Sequence, residues 1–160
     1  MLKYLGILLI AAVTAGYGGL CAYSLKKEAL VLNGFLLLAR RIRTRIECFR
    51  QPLSEIYRDF SHPALDGAGF TEELRESGFT AALCKTKNSL GLREELFALV
   101  GEFGNELGKS YSEEQVRHCE RYILRMEEAL VGLEEELPRR RKTVRALSAA
   151  AAVMAVILLI

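Results

Sequence analysis

No two of the chain's four cysteines stand close together. Cys21, Cys48, Cys84 and Cys119 have no short paired spacing, which excludes a zinc ribbon and a thioredoxin-like redox motif. Each reads as a small apolar filler suited to a reducing cytosol. Histidine is as scarce, with His62 and His118 alone. His118 adjoins Cys119, but neighbours on a helix point about 100° apart and cannot readily share a metal. No strand pattern occurs, and no cluster of acid, base and nucleophile can be placed, so neither an enzyme nor a cofactor is expected. A nucleotide loop is missing too. Gly104 is followed by three residues before Gly108-Lys109-Ser110, where a P-loop requires four after a strand.

Charge is absent over two long stretches. Tyr4 to Leu25 is 22 residues without one, about 33 Å as a helix and enough to cross a hydrocarbon layer of roughly 30 Å. A cleaved signal peptide is the alternative, but the run is long and Lys26-Lys27 follow it directly, as behind an uncleaved anchor. A lipoprotein is disfavoured by Leu20 beside Cys21. At the other end, Ala146 to Ile160 is again uncharged and makes only about 22 Å of helix. Val144 and the stems of Lys142 and Arg145 extend it to a short span; a tail packed into a partner is the alternative. Arg139, Arg140, Arg141, Lys142 and Arg145 precede it, and Lys26, Lys27, Arg40, Arg41, Arg43 and Arg45 follow the first run. These clusters place the middle of the chain in the cytoplasm and both ends across the membrane. The net charge of +2 therefore reflects topology and anionic lipid, and no nucleic-acid partner is expected. The divisions are an anchor at 1–25, a helical domain at 26–138, and a basic flank with membrane segment at 139–160.

Between the apolar ends the periodicity is helical. Leu92, Leu96, Leu99, Phe103 and Leu107 recur at helical spacing, and Gly108 stands where a left-handed C-terminal cap is wanted. Ser112 and Gln115 form a capping box with Tyr111 and Val116 as its staple, and Glu113 and Glu114 suit the first turn of a helix. Val116, Cys119, Ile123, Met126, Leu130, Leu133 and Leu137 make a heptad seam. A short joint must fold these two helices back on each other. Gly104, inside the first of them, is read as permitting close approach of a neighbouring helix, with a merely poor helix residue as the alternative.

Earlier in the chain, the first apolar run continues as a helix toward Pro52, presenting Val31, Phe35, Leu38, Ile42, Ile46 and Phe49 on one face. Pro52 opens a short helix with Leu53, Ile56, Tyr57 and Phe60. His62-Pro63 and Asp66 to Gly69 read as loop. Helices over Thr71–Ser77 and Thr80–Lys87 follow, with Asn88 to Gly91 as a turn. The fold class is all-α, a compact antiparallel bundle between an N-terminal transmembrane helix and a short C-terminal one.

Phe103-Gly104-Asn105-Glu106-Leu107-Gly108 followed by Ser110 to Gln115, Pro52-Leu53 before a short amphipathic helix, and a basic-flanked apolar end together resemble the stage III sporulation protein AB family. That family consists of membrane proteins of endospore-forming bacteria related in fold to the F-type platform domain of type II secretion systems. Tyr111-Ser112 departs from the Ser-Asp expected in many relatives, and the C-terminal tail is abbreviated. The resemblance implies a non-enzymatic component of the channel between mother cell and forespore. By that resemblance its partners would be a cytosolic ring ATPase resembling stage III sporulation protein AA and other stage III sporulation A-type membrane proteins; the basic flanks add membrane lipid, and a homo-oligomer is left open.

The candidate partner surface is acidic. Glu127, Glu128, Glu134, Glu135 and Glu136 lie off the seam, where solvated charge is the ordinary reading and steering of a basic partner the functional one. Asn105, Glu106, Lys109, Glu113 and Glu114 extend it to the tip of the hairpin. A membrane-anchored regulator that dimerises through the Val116 to Leu137 seam is the rival reading.

Overall fold

The computed structural model describes the backbone of residues 2–109 and 112–157, and side chains chiefly over 23–109 and 113–136. Among the described residues seven helices follow one another: α1 Leu2–Phe49, α2 Leu53–Arg58, α3 Pro63–Asp66, α4 Phe70–Ser77, α5 Phe79–Leu90, α6 Glu94–Glu106 and α7 Ser112–Ile157. No strand occurs among the described residues. The chain divides into two compact units, one of residues 27–131 and one of residues 1–26 with 132–160. The first is an all-helical bundle. In the second, the described backbone is helical and α7 continues through Pro138.

Among the described residues no helix is long and apolar enough to cross a membrane. The side chains of residues 2–22 and 147–157, on which most of both expected spans falls, lie outside the described set. So do Ser110, Tyr111 and the side chains of Ser112 and Leu137.

The bundle forms around a line of aromatic rings. Phe35 of α1 meets Phe70 of α4 edge-on at 4.9 Å, Phe70 meets Phe79 of α5 at 5.6 Å, and Phe79 meets Phe103 of α6 at 5.6 Å. These near-perpendicular contacts set the positive ring edge against the negative face, the favoured aromatic geometry. Around the line, Val31, Leu38, Ile42, Ile56, Phe60, Leu65, Leu74, Leu90 and Met126 are buried. Each leucine-sized side chain contributes roughly 1.5–3 kcal/mol when fully buried. The seam of α7 is filled by this same core: Cys119, Ile123 and Met126 are buried, and Val116 and Leu130 half-buried. Cys119, Ile123 and Met126 are thus already covered within the chain, which counts against a regulator dimerising through that part of the seam.

Several local features depart from the sequence reading. Pro63 and Asp66, expected as loop, instead open and close the single turn of helix α3, because Leu65 between them is fully buried. Asp66 gathers this corner, accepting hydrogen bonds from Ser61 Oγ and Thr71 Oγ1 at 2.6 Å each and from the His62 N–H at 3.3 Å. Asn88 to Leu90, expected as turn, extend α5 until Gly91 ends it in the left-handed conformation, since Leu90 is a core residue. Phe49, expected on the apolar face of α1, is 65% exposed and lies under the Arg45 guanidinium at 5.5 Å. The helix stops there: Arg50 turns left-handed at φ 48°, and its N–H bonds the Ile46 carbonyl at 3.1 Å, an αL cap that avoids leaving that carbonyl free.

One buried charge ties α1 to the start of α6. Glu28 is 6% exposed and accepts the Arg93 backbone N–H at 2.6 Å and its guanidinium at 3.0–3.1 Å. A buried carboxylate without partners would be costly; here every contact comes from the residue that caps α6.

Position 104 shows how tightly the helices approach. A Cβ added at Gly104 would stand 2.5 Å from Phe79 Cε1, whereas one added at Gly101 of the same helix would meet only Leu83 Cδ2 at 3.8 Å. Gly101→Ala is expected to stabilise the domain by up to about 1 kcal/mol through helix propensity. Gly104→Ala is expected to destabilise it by about 1–3 kcal/mol through overpacking; denaturant melts of the two variants measure the difference in sign. A second expectation concerns acid. Burial opposes ionisation of Asp66, but the bonds from Ser61, Thr71 and His62 and the charge of Arg75 outweigh it and hold its pKa below the ordinary 3.8. A lowered folded pKa gives stability that is complete above 3.8 and is lost as the pH falls through the folded value. Thermal melts in the acid range should therefore fall more steeply for the native chain than for Asp66→Asn.

Candidate functional site

The joint between α6 and α7 is built from three local causes. α6 ends at Glu106, and Leu107 is extended, at φ −62° and ψ 130°. Gly108 follows at φ 79°, and the Lys109 N–H bonds the Glu106 carbonyl at 3.4 Å. This is type II turn geometry, in which the third residue must be left-handed and is best glycine. Gly108 thus acts inside a turn one step beyond the helix end, and not as the cap itself. Asn105, Glu106 and Lys109 are exposed on this tip, as are Glu113 and Glu114 in the first turn of α7.

Below the tip, α6 and α7 run antiparallel and are joined by His118. Its ring stacks on Phe103 at 5.5 Å with 3° between planes and leans on Tyr122 at 4.7 Å. Nε2 lies 3.1 Å from the Phe103 carbonyl, so that nitrogen carries the proton and donates. The Phe103 carbonyl belongs to the last turn of α6, where main-chain acceptors have no helical partner. His118 is therefore the side-chain cap of α6. Its Nδ1 is 2.7 Å from Glu106 Oε2, close enough for an ion pair in the doubly protonated ring but out of line for a hydrogen bond. One turn further, Glu102 accepts from Tyr122 Oη at 3.3 Å and from Arg125 Nη1 at 2.9 Å. Burial, with the charges of Glu106 and Glu102, raises the Tyr122 pKa.

The expected acidic surface is brought together only in part. Glu106 faces His118 and Glu127 is paired with Arg40 at 2.6 Å. Glu113, Glu114 and Glu128 stay exposed. Glu134, Glu135 and Glu136 belong to the other compact unit, with Glu135 near Arg139 at 3.8 Å and Glu136 half-buried. Gln115 is buried, its Nε2 without a partner among the described residues. The pattern missed His118 and Glu28 as fixed polar contacts. For Glu28 a signal existed: it precedes Val31 and Phe35 by three and seven residues, placing it on the buried stripe of α1.

Among the described residues no three of His, Cys, Asp and Glu stand where they could hold a metal ion. Burial pushes the Cys119 thiol up to about 12, against the opposing pull of Arg43, so it is protonated at neutral pH and a poor nucleophile. Burial likewise pushes Tyr57 up to about 12. What the tip offers is an exposed polar surface.

Residues 3–160 match the family model described as stage III sporulation protein AB. No curated protein and no solved structure matches the chain.

His118→Leu is expected to cost about 1–3 kcal/mol, because it leaves the Phe103 carbonyl buried without a donor. Glu106→Ala, which removes a carboxylate 55% exposed, should cost well under that. Urea melts of the two variants test the ranking, and an equal loss would remove the capping role from His118.

Proposed function

The chain belongs to the stage III sporulation protein AB family, and from that premise we propose that it is a non-enzymatic membrane platform of the channel between mother cell and forespore. Its helical domain lies in the mother-cell cytosol and its apolar ends hold it in the membrane. It couples a cytosolic ring ATPase resembling stage III sporulation protein AA to other stage III sporulation A-type membrane proteins. The observation that carries this reading is the family match over residues 3–160, since fold alone does not give function. The uncharged run from Tyr4 to Leu25 followed by Lys26-Lys27 supports the membrane placement.

For the ATPase, the tip between α6 and α7 is the favoured docking surface. Asn105 and Lys109 are exposed there, Glu113 and Glu114 are exposed without ion pairs among the described residues, and the turn beneath them is fixed by Gly108 and His118. A preorganised surface loses little conformational entropy on binding. Unpaired carboxylates act mainly on encounter rate and orientation. Glu127 is already neutralised by Arg40 and contributes less.

Co-purification of the full chain with the ring ATPase tests the reading. Glu113→Lys with Glu114→Lys is expected to weaken association about tenfold and to flatten its loss with salt, since the attraction that salt screens is gone, while reversals at Glu134 to Glu136 have a smaller effect. Association unchanged by the tip reversals would remove the docking surface, and absence of any association would remove the platform reading.

A further inference from the structure

The core uses one face of α1 and one of α7 within the 27–131 unit, yet their opposite faces also carry apolar side chains. Leu30 and Leu37 on α1 are 57% and 40% exposed, and Leu124 and Val131 on α7 are 61% and 56% exposed. Each pair is seven residues apart and so lies in line along its helix. Single exposed leucines are ordinary on a monomer. Two aligned pairs on neighbouring helices, one on each side of the ion pairs that join them, leave four apolar side chains exposed on one face.

The helices are neighbours and antiparallel, held by Arg40 with Glu127 at 2.6 Å and Arg43 with Glu120 at 2.8 Å. In that register Leu37 stands at a level between Leu124 and Val131. We propose that a second copy of this chain covers this face, related by a two-fold axis running parallel to α1 and α7 and between them. Such an axis keeps every residue at its level and lays α1 of each copy antiparallel on α7 of the other. Leu37 then enters between Leu124 and Val131 of the second copy, and the reciprocal contact is made at the same time, as an isologous interface requires.

Charge selects this occupant over an unrelated helix. Arg41 lies on the edge of α1 away from α7, by its angular position relative to Leu37 and Arg40. Its Nε is buried with no partner, and it makes no ion pair among the described residues. Glu128 lies on the edge of α7 away from α1, exposed and also unpaired among the described residues. The two-fold brings these two edges together one helical turn apart, within reach of an arginine, twice per dimer. The Arg40–Glu127 and Arg43–Glu120 pairs run along the axis and are covered already paired.

Sedimentation of the full-length chain in mild detergent, with Arg41→Glu, Glu128→Arg and the double reversal, tests the interface. The expected result is a dimer that each single reversal weakens about tenfold and that the double reversal restores. A monomeric native chain, single variants that associate as the native chain does, or a double variant no tighter than the singles would each overturn it. Should a single reversal fail to fold, a crosslink decides. In a Cys21→Ser, Cys48→Ser, Cys84→Ser background, a Leu37→Cys chain mixed with a Val131→Cys chain should oxidise to the mixed covalent dimer. Oxidation that joins only like chains, or none, overturns the proposal.

Discussion

Phe79 can lie against α6 only because position 104 carries no side chain. That single vacancy sets the distance between α5 and α6, and everything aligned with the ring inherits it. Phe35 and Phe70 pack from one side and Phe103 from the other, so one file of rings crosses α1, α4, α5 and α6. His118 closes the file on α7 by stacking on Phe103. The cap on α6 and the packing of the aromatic core are thus one arrangement: if Phe79 moved outward, Phe103 would move, and with it the ring that satisfies the end of the helix.

The long periodic elements were legible in the sequence because their apolar residues repeat over several turns, and burial then follows from register. The α6–α7 joint was legible for a different reason: glycine at a position that must be left-handed, and carboxylates at a helix start, are local requirements. Short elements were not. Pro63 to Asp66 has only Leu65 to mark its inner side, and the loop signals of His62-Pro63 and Asp66-Gly67 outweigh one leucine. Asn88 and Ser89 read as turn residues, yet Leu90 behind them is drawn into the core and carries them along as helix. Phe49 failed in the opposite direction, since an aromatic in register with a buried stripe is exposed where the helix runs past its neighbours.

Acidity along α7 has more than one meaning. Glu120 and Glu127 fasten α7 to α1, Glu102 on α6 holds Tyr122 and Arg125, and Glu106 faces a histidine. In composition these residues are indistinguishable from Glu113, Glu114 and Glu128, which reach solvent without a cation among the described residues. The distinction lies in which face of the helix meets a basic neighbour: for Glu120 and Glu127 that neighbour sits on α1, far away in sequence, and for Glu102 and Glu106 it sits on α7. Most exposed pairs of this kind contribute less than about 1 kcal/mol each, so their effect is on register more than on stability.

The pairing of α1 with α7 joins residues 87 positions apart, and with it the earliest and latest parts of the bundle. During synthesis the chain emerges from the ribosome in order, at about 5–20 residues per second. Phe35, Phe70, Phe79 and Phe103 can assemble while α7 is still inside the exit tunnel, but His118, Met126 and Glu127 cannot join them. For several seconds the nascent protein carries an open flank on α1 and a bare end on α6, the interval in which a chaperone, a neighbouring nascent chain or a bilayer has access to surfaces that the finished molecule keeps for itself.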